Sequence, residues 1–259
     1  MEIKKYNGEN EKDWNQFLSK CRNELFLFNR SYMEYHKNRF IDHSLMFYER
    51  NKIFALLPSC TGGQELSSHA GLTFGGLLYS AKLGVCDTLK IFDCLIVYLK
   101  EIGIKKLTYK SIPSIFHKLP SQEDIYVLSQ LGASIVKREL STVVSFENQI
   151  KFSKGKREGV KKAKRKNLVF RESQDFDMFF EIGRKVMRDR HGLYPVHNAN
   201  EMEYLKSIFP ENIKMFEVSD DDEILACTII YDYGFTIHTQ YMYNTDKGLS
   251  CGALDFLMD

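Results

Sequence analysis

The chain has 259 residues, of which 44% are hydrophobic and 27% charged, a composition typical of a folded globular protein that excludes an intrinsically disordered chain. No segment reaches the roughly 18 uninterrupted apolar residues of a membrane-spanning helix, and the opening stretch MEIKKYNGEN lacks the apolar core of a secretory signal. Six cysteines without a CxxC pair indicate reduced thiols rather than a disulfide framework or a zinc site. We therefore expect a cytoplasmic protein that binds no metal.

The first part of the chain predicts one helix followed by three strands. Apolar residues recur at helical spacing from Asp13 to Phe28. Two apolar runs on either side of a polar turn predict a β-hairpin, with strands at 44–49 and 52–58. The alternating stretch GLTFGGLLYS, residues 71–80, predicts a third strand.

Two further helices and two further strands complete the first half. The first helix spans 87–103 and ends at a glycine, and the second spans 121–131 and also ends before a glycine. IKKLTYKSI, residues 104–112, predicts a strand between them. ASIVKRELSTVVSF, residues 133–146, predicts a closing strand or strand pair.

The second half repeats this order of elements. Helices are predicted at 175–190 and 200–209, a hairpin at 213–219 and 224–233, and a further strand at 235–244. Residues 245–259 predict a turn and the start of a helix. The repeated order predicts an α/β protein with two copies of one fold, at residues 1–150 and 151–259.

A glycine-rich stretch with a histidine lies across the predicted third strand. Residues 67–76 read SSHAGLTFGG. Glycines weaken a strand unless another group must approach the backbone closely. The stretch therefore predicts a ligand pocket whose main-chain N–H groups stabilise developing negative charge, with His69 as a candidate general base. The alternative is a β-bulge and a histidine that bonds to the backbone and does no chemistry.

Five stretches carry a resemblance to a known family: YMEYHKNRF, FALLPS, SSHAGLTFGG, YPVHNANEMEYLKSIFPENIKMFEV and TQYMYNTDKGLSCGALDFL. Through them the chain resembles the GNAT-type acyltransferases of bacterial surface-polysaccharide gene clusters, and it is similar to the FemAB group, which has two GNAT-like domains in tandem. The resemblance covers nearly the whole chain. It implies two mixed, mostly antiparallel sheets flanked by helices, with the acceptor on the first domain and the acyl donor on the second. Because a GNAT domain continues beyond the helix that contains Asp259, the second domain is expected to be incomplete.

The resemblance also implies the chemistry. An amine or hydroxyl attacks an activated acyl group, which is a CoA thioester in most GNAT enzymes and an aminoacyl-tRNA ester in the FemAB group. GNAT enzymes hold the CoA pyrophosphate in a loop of the form Arg/Gln-x-x-Gly-x-Gly/Ala, in which this chain has Lys in place of Arg and Ser in place of the central glycine. The candidate residues for acyl-CoA, in particular acetyl-CoA, are Lys247, Gly248, Ser250, Cys251 and Gly252.

The other candidates belong to an acceptor pocket and to proton transfer. The candidate acceptor-binding residues are His36, Arg39, Ser68, Gly71, Thr73, Gly75 and Gly76. Arg39 suits bidentate contact with a carboxylate or phosphate, although an exposed helix with aromatic anchors is the alternative for its segment. The candidate catalytic residues are His69 and Tyr241, the latter as the acid that protonates a leaving thiolate or, alternatively, as a residue of the core. His191 and His197 are expected to anchor a loop.

The formal net charge is only +2, yet the stretch Lys154–Lys166, KGKREGVKKAKRK, contains eight Lys and Arg residues and one Glu. Lys154, Arg157, Lys161 and Arg165 fall on one helical stripe. Such a stripe suits tRNA phosphates or an anionic membrane surface. The alternative is a solvated helix, since no aromatic side chain is interleaved for base stacking.

The sequence therefore favours acyl transfer from acyl-CoA to an amine or hydroxyl of a cell-envelope glycan precursor, with a sugar nucleotide or another small molecule as acceptor. Two alternatives stay open. One is aminoacyl transfer from charged tRNA, and the other is a ligand-binding module of the same fold without catalytic activity.

Overall fold

The computed structural model describes residues 1–259, which divide into two compact units, Met1–Arg138 and Glu139–Asp259. The predicted boundary at residue 150 lies inside the second unit. Both units contain helices and β-sheet, so the predicted α/β class is confirmed. None of the helices is both long enough and apolar enough to cross a bilayer.

Unit 1 contains two four-stranded sheets. Its strands are β1 (Glu2–Lys5), β2 (Ile41–Asp42), β3 (Leu45–Glu49), β4 (Lys52–Leu57), β5 (Cys60–Gly62), β6 (Glu65–Ser67), β7 (Leu78–Tyr79) and β8 (Lys106–Thr108). Its helices are α1 (Glu11–Leu18), α2 (Arg30–Met33), α3 (Val85–Glu101) and α4 (Glu123–Gln130). The sheet orders are β1-β3-β4-β7 and β2-β5-β6-β8, and the β6–β8 pair is parallel.

The core of unit 1 lies between the β3–β4 hairpin and α3, both of which the sequence predicted. Phe47 and Leu57 of the hairpin are fully buried, as is Ile91 of α3, and these side chains belong to one apolar cluster. Residues at a spacing of four on α3 share one face, so Leu95 and Leu99 extend the contact. Glycine at position 103 has φ of +73°, the left-handed conformation that ends a helix.

The predicted helix from Asp13 to Phe28 is wrong in its second part, because α1 ends at Leu18. Trp14 Nε1 donates a hydrogen bond of 2.8 Å to the carbonyl oxygen of Phe28, and both side chains are completely buried. The chain therefore folds back over α1 and buries its apolar residues from a loop. Apolar spacing alone does not distinguish such a loop from a continuing helix.

The predicted strands at 71–80 and 133–146 are also largely absent. The first is reduced to β7, and the second has no regular structure, with Val136, Leu140 and Phe146 exposed by 81%, 98% and 76%. Its valines, threonine and phenylalanine favour a strand. A strand forms only where a neighbour takes up its backbone hydrogen bonds, and no strand of this chain pairs with it.

Unit 2 contains one antiparallel sheet of order β12-β11-β10-β9. Its strands are β9 (Val169–Ser173), β10 (Ile213–Asp220), β11 (Glu223–Asp232) and β12 (Ile237–Asn244). Its helices are α5 (Lys154–Arg165), α6 (Phe176–His191), α7 (Ala199–Ile208), α8 (Asp246–Cys251) and α9 (Ala253–Leu257). The predicted helices, hairpin and third strand of this half are confirmed, whereas β9 was not predicted and the predicted turn after residue 245 is helix α8.

Helices α5 and α9 meet through two glycines. Val160 and Ala163 turn the apolar face of α5 inward, and Ala163 joins a buried cluster with Ala253 of α9. At Gly252, where φ is +77°, an added methyl group would overlap the backbone of Gly159 in α5. Glycine is required here for both the backbone conformation and the close approach of the two helices.

We expect Gly252→Ala to lower the free energy of unfolding by at least about 2 kcal/mol, because it adds a left-handed alanine to a steric overlap. Gly155→Ala is the matched control, since a methyl group there meets nothing within 4 Å and alanine favours helix by roughly 0.5–1 kcal/mol. Urea denaturation at neutral pH measures the free energy of unfolding of both variants. Equal stability of Gly252→Ala and the wild-type protein would contradict this packing.

Candidate functional site

Unit 1 contains two buried histidines in contact. His36 follows α2 and His69 follows β6, and their ring centroids lie 5.3 Å apart at an interplanar angle of 67°. The two residues are 3% and 2% exposed. The ring of Phe40 packs against both, at centroid distances of 5.0 and 5.6 Å. The structure thus brings together two residues that the sequence selected from different segments.

The loop that carries His69 is tied to the segment after β8. Ser68 N donates to the carbonyl of Thr108 at 2.9 Å, and Ser68 Oγ accepts from Lys110 N at 2.6 Å. His69 itself has φ of +43°, an uncommon conformation for a residue with a side chain. Strained backbone of this kind is found most often at functional sites.

The glycines of this loop are needed for packing within the protein. A methyl group at Gly71 would overlap the rings of His36 and Phe40, and one at Gly75 would overlap the backbone of Ser68. Gly75 N donates to Lys110 O at 2.9 Å, so this N–H group already has a protein partner. Gly76, with φ of +103°, has its free space filled by the Tyr109 hydroxyl. Protein atoms therefore fill the space that the sequence reserved for a ligand, and substrate binding by these glycines stays a prediction.

Three ring nitrogens of the histidine pair have no hydrogen-bond partner: His36 Nδ1, His36 Nε2 and His69 Nδ1. A cavity of about 10 Å³ lies beside them, lined by Arg30, Met33, Glu34, His36, Lys37, Phe40, Asp42 and His69. This volume corresponds to about one water molecule. Arg39 and Thr73 are exposed and do not line the cavity, and Ser68 is buried but bonded to the backbone.

Burial governs the charge of both histidines. Loss of hydration lowers the pKa of His36 to about 4, with a further contribution from Arg39. It lowers the pKa of His69 to about 4 as well, with a further contribution from His36. Both rings are therefore neutral at pH 7, and His69 is a weak base there because its conjugate acid forms only under acidic conditions.

Arg30 forms the charged wall of this cavity, and the sequence did not single it out. Its guanidinium is 1% exposed and forms ion pairs with Asp42 at 2.9 Å and Glu34 at 2.5 Å. It lies 3.7 Å from the ring centroid of Tyr6. The cation is thus fully compensated by carboxylates and an aromatic face. No periodicity of the sequence marks it, because a buried arginine needs partners that only the fold brings together.

Unit 2 contains a second cluster, centred on Tyr241 in β12. Tyr241 Oη lies 2.5 Å from His197 Nδ1 and 3.3 Å from the main-chain N of the same residue. The edges of Phe179 and Phe180 in α6 pack against the Tyr241 ring. Burial raises the pKa of the Tyr241 phenol, so this side chain is neutral at pH 7.

β12 has a β-bulge next to Tyr241. In the pairing of β11 with β12, Ile229 is opposite Tyr241, whereas Ile230 is opposite Thr239, so Gln240 is an extra residue on β12. β12 is also the edge strand of its sheet. Bulges on edge strands re-aim side chains and main-chain groups and are common next to active sites. Alternation of residue types in the sequence did not indicate the bulge.

The predicted pyrophosphate loop, Lys247–Gly252, is helix α8 from its second residue onward, and Gly252 directly follows the helix. Thr245 caps this helix, with its Oγ1 accepting from Gly248 N at 3.0 Å. A methyl group at Gly248 would overlap the carbonyl of Leu225. Lys247 Nζ pairs with Asp220 at 3.1 Å and Glu223 at 2.7 Å. Ser250 Oγ donates to Lys247 O, and Cys251 is buried. The Gly248 amide and the Lys247 side chain thus have protein partners, and acyl-CoA binding by Lys247–Gly252 stays a prediction.

No model of a protein family matches the chain, and no curated protein sequence matches it. Solved structures do match. The crystal structure of FemX is 10% identical, with a TM-score of 0.61 over 100% of this chain and 84% of that one. The C-terminal DUF2156 domain of a putative lysylphosphatidylglycerol synthetase from Agrobacterium fabrum is 13% identical, with a TM-score of 0.55 over 98% of this chain and 73% of that one. The chain therefore shares its overall fold with FemX and with this synthetase domain.

The histidine pair predicts a loss of stability in acid. Above pH 6.5 both the folded and the unfolded protein hold these rings neutral. As the pH falls from 6.5 towards about 4, the unfolded chain binds protons that the folded chain does not. The free energy of unfolding should therefore fall over this range, by up to about 3 kcal/mol for each histidine.

Urea denaturation at a series of pH values measures this loss. His69→Asn should flatten the dependence, since asparagine does not titrate and tolerates positive φ. His191→Asn, which replaces an exposed histidine, should leave the dependence unchanged. An unfolding midpoint that is as sensitive to pH in His69→Asn as in the wild-type protein would rule out buried, neutral histidines.

Proposed function

We propose that this chain is an acyltransferase that moves an acyl group from acyl-CoA, in particular acetyl-CoA, to an amine or hydroxyl of a cell-envelope glycan precursor. The FemAB/GNAT-type fold, which matches FemX along the whole chain, supports acyl transfer as the class of reaction. The bulge at Gln240 on the edge strand β12, beside Tyr241, is the observation that carries the proposal. The resemblance of the sequence to polysaccharide-cluster acyltransferases supports a glycan precursor as the acceptor.

The bulge offers what the transition state of acyl transfer requires. When an amine attacks a thioester, a C–N bond forms and the carbonyl oxygen becomes an oxyanion, after which the C–S bond breaks. Main-chain N–H groups that are not hydrogen-bonded to a neighbouring strand stabilise such an oxyanion. An edge strand has such groups along its outer side, and a bulge changes their direction locally. In this proposal the thioester lies against the outer edge of β12, beside this bulge.

The same proposal assigns the acyl donor and the acceptor to different units. The two units are tandem GNAT-like domains, with unit 2 on the acyl-donor side and unit 1 on the acceptor side. The cavity of unit 1, with its unpartnered imidazole nitrogens and compensated Arg30, supports recognition of a polar acceptor group. Tyr241 is the proposed donor of a proton to the leaving thiolate.

An aminoacyl-tRNA donor is the second candidate, and the surface of α5 favours it. Lys156, Lys161 and Lys164 form ion pairs within the chain. Five other cations of this segment are exposed and pair with no carboxylate: Lys154, Arg157, Lys162, Arg165 and Lys166. Because Val160 and Ala163 turn the opposite face of the helix inward, the outward face is predominantly cationic, with Glu158 as its acidic residue, and a cationic face of this kind suits phosphate binding.

Acetyl-CoA should raise the melting temperature of the wild-type protein, because a ligand that binds the folded state alone at 100 times its Kd adds about 2.7 kcal/mol of stability. With glucosamine as acceptor, release of free CoA thiol should follow. Lys247→Glu should weaken the stabilisation, whereas Lys90→Glu in unit 1 makes the same charge change on an exposed lysine and should not. Stabilisation without thiol release would support the ligand-binding module without catalytic activity. The absence of both stabilisation and thiol release would contradict the acyl-CoA proposal.

If tRNA is the donor, the wild-type protein should be retained on immobilised bulk tRNA and released steeply by salt. The triple variant Lys154→Glu, Arg157→Glu and Arg165→Glu should lower the slope of log K against log salt by about 2 to 3. The control variant Lys12→Glu, Lys37→Glu and Lys90→Glu carries the same charge change on exposed residues of unit 1. An equal loss in both variants would show that net charge alone, and not α5, governs retention.

A further inference from the structure

Tyr241 Oη and His197 Nδ1 are joined by a hydrogen bond, and the other hydrogen bonds around Oη indicate which of the two atoms donates it. A phenolic oxygen donates one hydrogen bond and accepts two. The main-chain N–H of His197 donates to Oη at 3.3 Å. The main-chain N–H of Val196 and the side-chain amide of Gln240 also act as donors that lower the pKa of this phenol. These three donors exceed the two hydrogen bonds that Oη accepts, so its accepting capacity is filled.

The remaining neighbour of Oη is His197 Nδ1, at 2.5 Å. If Nδ1 carried a hydrogen, Oη would face donors on every side and its own hydrogen would have no acceptor among them. Nδ1 is therefore the unprotonated nitrogen and accepts the phenolic hydrogen, while Nε2 carries the hydrogen of the neutral ring. The short separation places the two atoms within range of proton transfer.

We propose that Tyr241 and His197 form a proton relay for acyl transfer, in which Tyr241 contacts the reacting groups and His197 acts through it. This inference rests on the proposed function. As the attacking amine loses its proton, an N–H bond breaks and an O–H bond forms at Tyr241 Oη. The original phenolic hydrogen passes to His197 Nδ1, and the ring becomes an imidazolium. The proton then returns through Oη to the leaving sulfur, so that one proton moves from nucleophile to leaving group.

The relay explains how a buried tyrosine takes part at neutral pH. Burial raises the pKa of the Tyr241 phenol, so the phenol alone is a weak acid and an unsuitable base. Coupling to an imidazole provides a proton acceptor whose ordinary pKa is closer to neutrality than that of a phenol. Tyr241 is half-buried, so part of this residue is open to solvent. The 3.3 Å bond from the His197 main chain is long and yields to a substrate N–H.

The surroundings hold both partners in place. Phe179 and Phe180 of α6 contact the Tyr241 ring, while Tyr243 stacks against it at a centroid distance of 6.0 Å. His197 is 8% exposed and directly precedes Asn198, which caps α7. Asn198 N donates to Glu201 Oε2 at 3.1 Å, and Glu201 N donates to Asn198 Oδ1 at 3.0 Å. Glu201 is the charged group that faces this cluster from α7, and it raises the pKa of Tyr241.

The first test reads the tautomer on the protein alone. In ¹⁵N NMR of the histidine side chains, with the His197 signals assigned from their loss in His197→Asn, wild-type His197 should show Nε2 protonated and Nδ1 unprotonated. Tyr241→Phe should change the Nδ1 shift because the donated hydrogen is gone. A protonated Nδ1 in the neutral wild-type ring would overturn the relay, whether or not acetyl-CoA is turned over.

The second test uses acetyl-CoA and glucosamine. His197→Asn keeps a hydrogen-bond acceptor but cannot take the proton, so kcat should fall about 100-fold at constant KM. We expect the wild-type rate to fall towards acidic pH, because a protonated imidazole cannot accept the phenolic hydrogen, and we expect this fall to be absent in His197→Asn. The double variant with Tyr241→Phe should be no slower than either single variant, because the two residues act as one unit. His191→Asn should match the wild-type protein.

Wild-type activity in His197→Asn, or losses that multiply in the double variant, would overturn the relay while leaving acyl transfer intact. Absence of turnover in the wild-type protein would count against the proposed function instead. The ¹⁵N measurement then decides the relay geometry by itself.

Discussion

The contact between Tyr241 and His197 joins the edge strand of the sheet in unit 2 to the loop that precedes α7. Tyr241 lies beside the bulge at Gln240, and His197 lies next to the capping box that begins α7. Without this contact, the edge of the sheet would not hold the loop in a fixed position. The polar pair is surrounded by Phe179, Phe180 and Tyr243, so its geometry is set by packing as well as by hydrogen bonding.

The two histidine sites of the molecule illustrate how burial determines chemistry. His36 and His69 line a small cavity, and three of their ring nitrogens have no hydrogen-bond partner. Loss of hydration lowers the pKa of both rings. His197 instead has a phenol as partner. A neutral imidazole without a partner is suited to recognise a polar group, whereas one bonded to a tyrosine at a strand edge is suited to move a proton.

Much of the fold could be predicted from the sequence, and the failures have a common cause. The β3–β4 hairpin, α3, α6, α7 and the β10–β11 hairpin follow from periodicity and from turn and capping residues. The absent strand at 133–146 and the early end of α1 depend on tertiary partners that periodicity does not describe. The sequence brought His36, His69 and Tyr241 forward as candidates and assigned His197 to loop anchoring. The role of Arg30, the pairing of His197 with Tyr241 and the Gln240 bulge became visible only through contacts between distant segments. The glycines at 71, 75, 248 and 252 were recognised as places of close approach, and the structure shows protein atoms there.

A crystal structure of the protein grown with acetyl-CoA tests the central claim, acyl transfer at the edge of β12, most directly. We expect the thioester carbonyl within hydrogen-bond distance of main-chain N–H groups on the outer edge of β12, and the sulfur on the side of Tyr241 Oη. Acetyl-CoA bound away from β12, or electron density that leaves this edge empty while the ligand occupies another site, would contradict the account.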